Sequence, residues 1–177
     1  MVWTIIIIIL SVADQLIKLV INRNLTATDR ISVIEGFFYI IRRENSGAAW
    51  SFLAGRDWGI YLLIVMSLLM TALLVWLLAH IRHIGLSLCL SLIIAGSIGN
   101  LIDRVRILAV VDYLDFHFGR YVFPTFNLAD MLIVIGTALL CIFLLKDNKL
   151  IDHLFPAGKN ENQEEKRNRH AAKNPRH

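Results

Sequence analysis

The chain has 177 residues, of which 56% are hydrophobic, with a mean hydropathy of +0.61 and a formal net charge of +4. That composition is too apolar for a soluble domain of this size and indicates that lipid surrounds much of the chain. The basic residues form no stripe that favours nucleic acid as a partner, and nothing in the pattern indicates an oligomer.

Four apolar segments predict four membrane-spanning helices, at about 1–21, 58–79, 84–103 and 126–146. The second and third segments are long enough to cross a hydrocarbon core of about 30 Å. The first reaches that length only if it continues through Asp14 and Lys18, and the last only if it begins near Phe126 and includes Asp130. The first segment is interpreted as a retained span rather than a cleaved secretory signal, because no basic residue precedes it.

The connection after the first span predicts a small β-sheet at the membrane surface, over about 30–54. Its sequence "ISVIEGFFYIIRRENSGAAWSFL" contains β-branched and aromatic runs broken by glycine. Tyr39, Trp50 and Trp58 suit the interfacial belt. The predicted fold class is therefore an all-α membrane protein with four transmembrane helices and a small sheet in the first long loop. Residues 1–146 form this domain, and the polar tail at 147–177 is predicted to be a disordered solvated segment.

Polar residues converge on one membrane face in this topology, because the ends of odd spans and the starts of even spans lie together. They are Asp14, Lys18, Asn100, Asp103, Arg104, Asn127 and Asp130. Each subset has an ordinary structural explanation. Asn127 and Asp130 resemble a capping box, Asp14 and Lys18 an i, i+4 ion pair, and the other three a helix-end network beside Gly96 and Gly99.

Carboxylates are the best candidates for chemistry. Cys89 and Cys141 lie inside spans at unrelated positions, and the histidines lack a metal-binding spacing. The stretch "VVDYLDF" at 110–116 embeds acids among apolar residues on the same face, where an acid without a partner is costly. One of these acids and Asp130 could form a pair that shares a proton and hydrolyses an amide bond. Asp112 and Asp115 both remain candidates on this reasoning.

Two other functions are compatible with these residues. A Ser/Lys peptidase would combine Lys18 with Ser46 or Ser51, because a partly buried lysine can lose its proton and act as a base. A proton-coupled transporter would use Asp14, Asp103 and Asp130 as a relay. The transporter is disfavoured because these acids gather at one face, with none deeper in spans two and four.

Five blocks in order resemble the lipoprotein signal peptidase family, signal peptidase II of bacterial inner membranes. They are "DQLIK" at 14–18, "NSGAAWSF" at 45–52, "GNLIDR" at 99–104, "VVDYLDF" at 110–116 and "FNLAD" at 126–130. The resemblance covers about residues 10–146. It implies a metal-free aspartic endopeptidase without a cofactor, which removes signal peptides from diacylglyceryl-modified prolipoproteins by cutting before the lipidated cysteine.

The resemblance also implies residue roles and an orientation. Asp112 and Asp130 match the catalytic pair, which favours Asp112 over Asp115, while Asn45, Asn100 and Arg104 match substrate-binding positions. Structural support is implied for Asp14, Lys18, Gly47, Gly96, Asp103, Asn127 and Ala129. The active site and the sheet would face the exterior and the tail the cytoplasm. The excess of Lys and Arg on the tail side agrees, although it is small.

Overall fold

The computed structural model describes residues 1–47 and 58–146. Four helices in it are long and apolar enough to cross a membrane: α1 (Val2–Asn24), α2 (Gly59–His80), α3 (Ile84–Ile107) and α4 (Leu128–Lys146). The predicted fold class, four membrane helices with a small sheet, is confirmed. The predictions for Trp50, Ser51, the end of the β region at 48–54 and the tail at 147–177 lie outside the described residues.

Three helix ends differ by two or more residues from the predicted spans, and the first of these is the end of α1, which lies at Asn24 rather than near residue 21. Helix α3 continues past residue 103 to Ile107, where Leu108 adopts the left-handed conformation with φ 56°. Helix α4 begins at Leu128 rather than at 126, because the backbone of Phe126 pairs with Leu114 instead. Hydropathy indicates where lipid ends, whereas a helix continues until its backbone hydrogen bonds are made elsewhere.

Helix α3 lies at the centre of the bundle and packs against the other three helices. Its residues Leu86, Leu90 and Ile94 form a buried apolar cluster with Ile81, which ends α2. The other helices expose many large apolar side chains on their outer faces. In a bilayer those faces contact acyl chains, so their exposure agrees with the membrane topology.

Glycines allow α3 and α4 to approach each other closely. A Cβ atom added to Gly96 would lie 2.2 Å from the backbone oxygen of Ala129, and one on Gly136 would lie 2.9 Å from the backbone oxygen of Cys89. Small residues at helix crossings are typical of membrane bundles, where close backbone packing replaces the hydrophobic driving force. The first turn of α4 is therefore held directly against α3.

A four-stranded antiparallel sheet covers one end of the bundle, in the order β1 (Arg30–Ile34), β2 (Phe38–Asn45), β3 (Val110–Phe118) and β4 (Tyr121–Val122). It extends further than predicted, because β3 and β4 come from the second long connection rather than the first. The first part of β3 is almost entirely buried, as expected for an internal strand, and this includes Asp112. Val111 and Tyr113 of β3 pack against Ile21 and Leu25 at the end of α1.

The entry into α4 is fixed by β3. The backbone N–H of Leu114 donates to the Phe126 oxygen at 2.9 Å, and the N–H of Phe126 donates back to the Leu114 oxygen at 3.2 Å. The N–H of Tyr113 also donates to the Phe126 oxygen, at 3.1 Å. These bonds hold the residue before the Asn127 cap against the middle of the strand, so the first turn of α4 begins beside Asp112.

Candidate functional site

Asn127 lies at the centre of the polar cluster because it contacts both predicted dyad carboxylates. Its side-chain Nδ2 donates to Asp112 Oδ1 at 2.7 Å, and its backbone N–H donates to Asp130 Oδ2 at 3.3 Å. The N–H of Asp130 donates in return to Asn127 Oδ1 at 2.9 Å. The capping box predicted from the sequence is thus present, and it also joins the two acids.

Two further asparagines donate to the same carboxylates. Asn45 Nδ2 donates to Asp112 Oδ2 at 3.2 Å, and Asn100 Nδ2 donates to Asp130 Oδ1 at 2.7 Å. Asn45 reaches Asp112 diagonally across the sheet, since its direct partner in β3 is Val110. Every carboxylate oxygen of the pair therefore accepts a hydrogen bond from an N–H group.

The orientation of each amide follows from a neighbour that can only donate. Asn45 Oδ1 accepts from the backbone N–H of Gly47, Asn127 Oδ1 accepts from the N–H of Asp130, and Asn100 Oδ1 accepts from Lys18 Nζ. A backbone N–H and an ammonium have no acceptor lone pair, so turning any amide over would place two donors against each other. All three NH2 groups must consequently face the carboxylates.

Asp112 and Asp130 experience different surroundings. Asp112 is 3% exposed in β3, whereas Asp130 is half-buried in the first turn of α4. Burial, and after it the nearby Asp130 carboxylate, raises the pKa of Asp112 to about 7, although the hydrogen bonds from Asn45 and Asn127 oppose the rise. Asp130 lies at a helix N-terminus, which favours a negative charge. Burial and a neighbouring negative charge therefore favour the protonated form of Asp112.

Lys18 lies behind the two carboxylates and is 2% exposed. Its ammonium contacts Asp14 Oδ2 at 2.9 Å, Asp103 Oδ2 at 2.8 Å and Asn100 Oδ1 at 3.1 Å. Three oxygens therefore occupy the three N–H donors of its ammonium. None of these contacts is a serine, and the arrangement disfavours the Ser/Lys alternative. Ser46 is exposed, and Ser51 lies outside the described residues.

Some of the residues predicted to support the site contact the start of α4, and Asp103 instead contacts β3. Asp14 Oδ1 accepts from the backbone N–H of Ala129 at 3.0 Å, and a Cβ on Gly99 would lie 2.5 Å from Asp14 Oδ2. Gly96 lies against the Ala129 carbonyl. Asp103 Oδ2 accepts from the backbone N–H of Val111 at 3.3 Å, which joins α3 to β3.

Arg104 is a cation near the pair that has donor capacity to spare. Its charge interacts with Asp130, Asp112 and Asp103. Its Nε is buried and has no hydrogen-bond acceptor within residues 1–47 and 58–146. A buried N–H without an acceptor is costly, and an oxygen of a bound molecule would satisfy it.

Asp115, the other acid that sequence chemistry left open, belongs to a separate cluster on the sheet. Its Oδ2 lies 2.7 Å from His117 Nε2, and its Oδ1 accepts from Thr125 Oγ1 at 3.4 Å. Arg30 contacts the same His117 nitrogen at 3.3 Å and stacks over the Tyr39 ring. Asn127 thus joins Asp112 to Asp130, whereas the hydrogen bonds of Asp115 are made to His117 and Thr125.

Two residues with clear roles were missed by the sequence reasoning. Gln15 Nε2 donates to Asp103 Oδ1 at 3.0 Å and to the Gly99 oxygen at 3.1 Å. The Tyr113 hydroxyl accepts from the Leu128 N–H at 3.1 Å, in the first turn of α4. The position of Gln15 beside Asp14 in a polar block could have indicated its role. Nothing in the sequence around Tyr113 indicates that its hydroxyl has a polar partner.

Comparison with known proteins identifies the family. Residues 6–146 match the family described as signal peptidase (SPase) II. The chain is 42% identical over 141 residues to a lipoprotein signal peptidase of Bacillus pumilus, covering 77% of this chain and 87% of that protein. It is 42% identical over 147 residues to one of Clostridioides difficile, covering 82% and 95%.

A solved structure has a similar fold. It is described as a bacterial membrane enzyme determined by the in meso method at 2.3 Å resolution, and it is 32% identical with a TM-score of 0.74. The match covers 83% of this chain and 89% of that one. Within the described residues, no group of three or more His, Cys, Asp or Glu side chains could hold a metal ion.

Proposed function

Because the chain belongs to the signal peptidase II family, multi-pass membrane proteases that remove signal peptides from prolipoproteins, we propose that it is an aspartic endopeptidase using Asp112 and Asp130. The observation that carries the proposal is the pair of unlike carboxylates joined by Asn127. When one of two carboxyl groups is protonated and the other is ionised, the pair supplies an acid and a base at the same pH.

Asp130 acts as the base and Asp112 as the acid in this mechanism. Asp130 removes a proton from a water molecule whose oxygen attacks the scissile carbonyl carbon, while Asp112 gives its proton to the carbonyl oxygen. When the tetrahedral intermediate collapses, the C–N bond breaks and the oxygen returns its proton to Asp112. Asp130 passes the proton taken from water to the leaving nitrogen. The products are a carboxylic acid and an amine, and both side chains regain their starting protonation states.

The half-buried position of Asp130 and the deep burial of Asp112 support this division of roles. The base must meet water, whereas the acid must keep a proton near neutral pH, and burial raises the pKa of Asp112 to about 7. The hydrogen bonds from Asn100 Nδ2 and the Asn127 backbone stabilise a negative charge on Asp130.

The substrate is a diacylglyceryl-modified prolipoprotein, and the cut falls just before the lipidated cysteine. Arg104 supplies its free Nε donor to a substrate oxygen, and Asn45 and Asn100 line the cleft at the two carboxylates. Asp14 and Gly96 hold the start of α4. A site at the helix ends suits a substrate whose signal helix and acyl chains stay in lipid, because it can arrive laterally.

The cleft faces the exterior of the bacterial inner membrane and the tail at 147–177 faces the cytoplasm in this proposal. The tail side, counted from Lys146 onward with Arg82, carries slightly more Lys and Arg than the two long connections. That balance favours a cytoplasmic tail by the positive-inside rule.

The test is cleavage by the purified full-length enzyme in lipid nanodiscs, with the product identified by mass spectrometry. A prolipoprotein carrying the diacylglyceryl group is compared with the same protein lacking it. The expected product begins with the lipidated cysteine, and the unmodified protein is a poor substrate. Cleavage at another bond, or equal cleavage of both proteins, would contradict the proposed specificity. Ser46→Ala and Ser51→Ala variants should remain active, since neither serine is used.

A further inference from the structure

We propose that Lys18 is a positioning residue for peptide cleavage, because it fixes which end of the Asn100 amide faces Asp130. This inference rests on the proposed function, in which Asp130 must be the unprotonated base. Within the described residues, Lys18 makes no hydrogen bond or ion pair with Asp112 or Asp130, although its positive charge opposes the rise in the pKa of Asp112. It is linked to Asp130 through one intervening side chain.

The chain of contacts runs from the ammonium to the carboxylate. Lys18 Nζ donates to Asn100 Oδ1 at 3.1 Å, and Asn100 Nδ2 donates to Asp130 Oδ1 at 2.7 Å. Lys18 and Asn100 are 2% and 5% exposed, so water does not readily replace either bond. The ammonium is held in place by Asp14 and Asp103, at 2.9 Å and 2.8 Å.

The NH2 group of a side-chain amide donates hydrogen bonds and its oxygen accepts them, so the orientation of the amide determines which partners it can bind. With Lys18 in place, a reversed Asn100 would present NH2 to an ammonium and a carbonyl oxygen to a carboxylate, and both contacts repel. Without the ammonium, Asn100 Oδ1 keeps one longer bond, 3.3 Å from Asn127 Nδ2, and Asn100 Nδ2 keeps its 2.7 Å bond to Asp130 Oδ1. The bond to Asp130 favours the observed orientation only while that carboxylate is ionised, because a protonated Asp130 can donate to a carbonyl oxygen instead.

The reversed amide would disable the base. A carbonyl oxygen facing Asp130 favours the protonated carboxyl, which can donate to it, and disfavours the ionised form. Asp130 would then hold a proton where the reaction needs an empty acceptor. Higher pH would remove that proton and restore part of the activity.

Other charges also face this region, and they decide how the test must be built. From α1 comes Asp14, from α3 come Asp103 and Arg104, and from β3 comes Asp112, with the Tyr113 hydroxyl nearby. Removing Lys18 alone would leave Asp14 and Asp103 as buried carboxylates without their counter-ion. A single substitution would therefore confuse positioning with folding.

The test compares two double variants of equal charge, Lys18→Met with Asp103→Asn and Lys18→Gln with Asp103→Asn. Only the glutamine keeps an N–H donor for Asn100. Both are assayed in nanodiscs for kcat, KM and the pH profile, with thermal unfolding as the folding control. We expect the methionine variant to lose about tenfold or more in kcat with a smaller change in KM. Its acid-side half-maximum should move up by about one pH unit relative to the glutamine variant.

A single substitution covers the case in which the methionine variant does not fold. Asn100→Leu has nearly the same size, adds no charge and cannot donate to Asp130, so it should show the same displaced acid limb. The inference is overturned if the two double variants share one pH profile, or if Asn100→Leu keeps the parent profile. If a folded Asp112→Asn or Asp130→Asn enzyme cleaves at the normal rate, the proposed function fails instead. If the Asp112→Asn and Asp130→Asn variants lose activity but the two Lys18 double variants share one pH profile, only the positioning role of Lys18 is overturned.

Discussion

Asn127 and Asp130 hold each other by two reciprocal hydrogen bonds, 2.9 Å from the Asp130 N–H to Asn127 Oδ1 and 3.3 Å from the Asn127 N–H to Asp130 Oδ2. This capping box begins α4 and at the same time fixes a carboxylate beside Asp112. A helix cap and half of a proposed active site are therefore the same pair of residues. The structural and the functional explanation of Asp130 do not exclude each other.

Separating these two roles is possible at Asn127. Serine is a good helix cap but has no NH2 group to donate to Asp112. We expect Asn127→Ala to lose about 1 kcal/mol of stability from the cap together with most activity. Asn127→Ser should recover much of the stability while cleavage stays at least about tenfold below the parent. Thermal unfolding and initial rates measure the two effects, and full activity in the serine variant would contradict a role for the Nδ2 donor.

The contact between Gly96 and α4 gives a second prediction. A Cβ at Gly96 would lie 2.2 Å from the Ala129 backbone oxygen, so Gly96→Ala must displace the turn that carries Asp130. We expect a stability loss of about 1–3 kcal/mol and a large fall in cleavage rate.

Gly85→Ala is the matched control on the same helix. Its added Cβ would meet Phe143 Cζ at 2.9 Å, at the far end of a side chain that can move aside. It should retain nearly the parent rate. Equal losses in both variants would show that α3 simply tolerates no added methyl group, and would contradict the specific role of Gly96.

Tyr113 tests a residue that sequence pattern did not reveal. Its hydroxyl accepts from the Leu128 N–H, and burial raises its pKa to about 12, so the group stays protonated at working pH. Tyr113→Phe should cost about 1–3 kcal/mol because it leaves a first-turn N–H without its partner. Tyr121→Phe, at an exposed position, should cost little by the same thermal measurement. Equal unfolding temperatures for the two variants would contradict the assigned contact.

The raised pKa of Asp112 predicts how cleavage depends on pH. Burial, followed by the Asp130 charge, raises this pKa from 3.8 to about 7, so the acid is protonated below about 7 and loses its proton above it. Since the proposed acid is active only when protonated, kcat should fall as pH rises through about 7. Rates measured from pH 5 to 9 at saturating substrate, with enzyme stability checked at each pH, test this. A rate that stays constant up to pH 9 would contradict the assignment.

The features that depend on segment length and hydropathy could be predicted from the sequence. Those that depend on strand pairing and side-chain contacts could not. Span lengths placed Asp130 in the first turn of the last helix, because residues 131–145 alone are too short to cross. The strand at 110–118 was not predicted, because Asp112 and Asp115 interrupt its apolar run. Asp112 and Asp115 could not be separated by local pattern, because their difference lies in contacts with Asn45 and Asn127 on one side and His117 on the other.

The orientation of the asparagine side-chain amides also cannot be predicted from the sequence. Three asparagines at 45, 100 and 127 could each present either end to a carboxylate. Their orientation depends on Gly47, Lys18 and Asp130 supplying donors at the opposite ends, which only the folded geometry reveals.

The most direct test of the central claim is cleavage of a diacylglyceryl-prolipoprotein by Asp112→Asn, Asp130→Asn and Asp115→Asn in parallel. The three changes are isosteric, and thermal unfolding in nanodiscs confirms that each protein is folded. The first two should lose essentially all activity, because either the acid or the base is missing, while Asp115→Asn should remain close to the parent. Normal cleavage by a folded Asp112→Asn or Asp130→Asn enzyme would contradict the two-carboxylate mechanism.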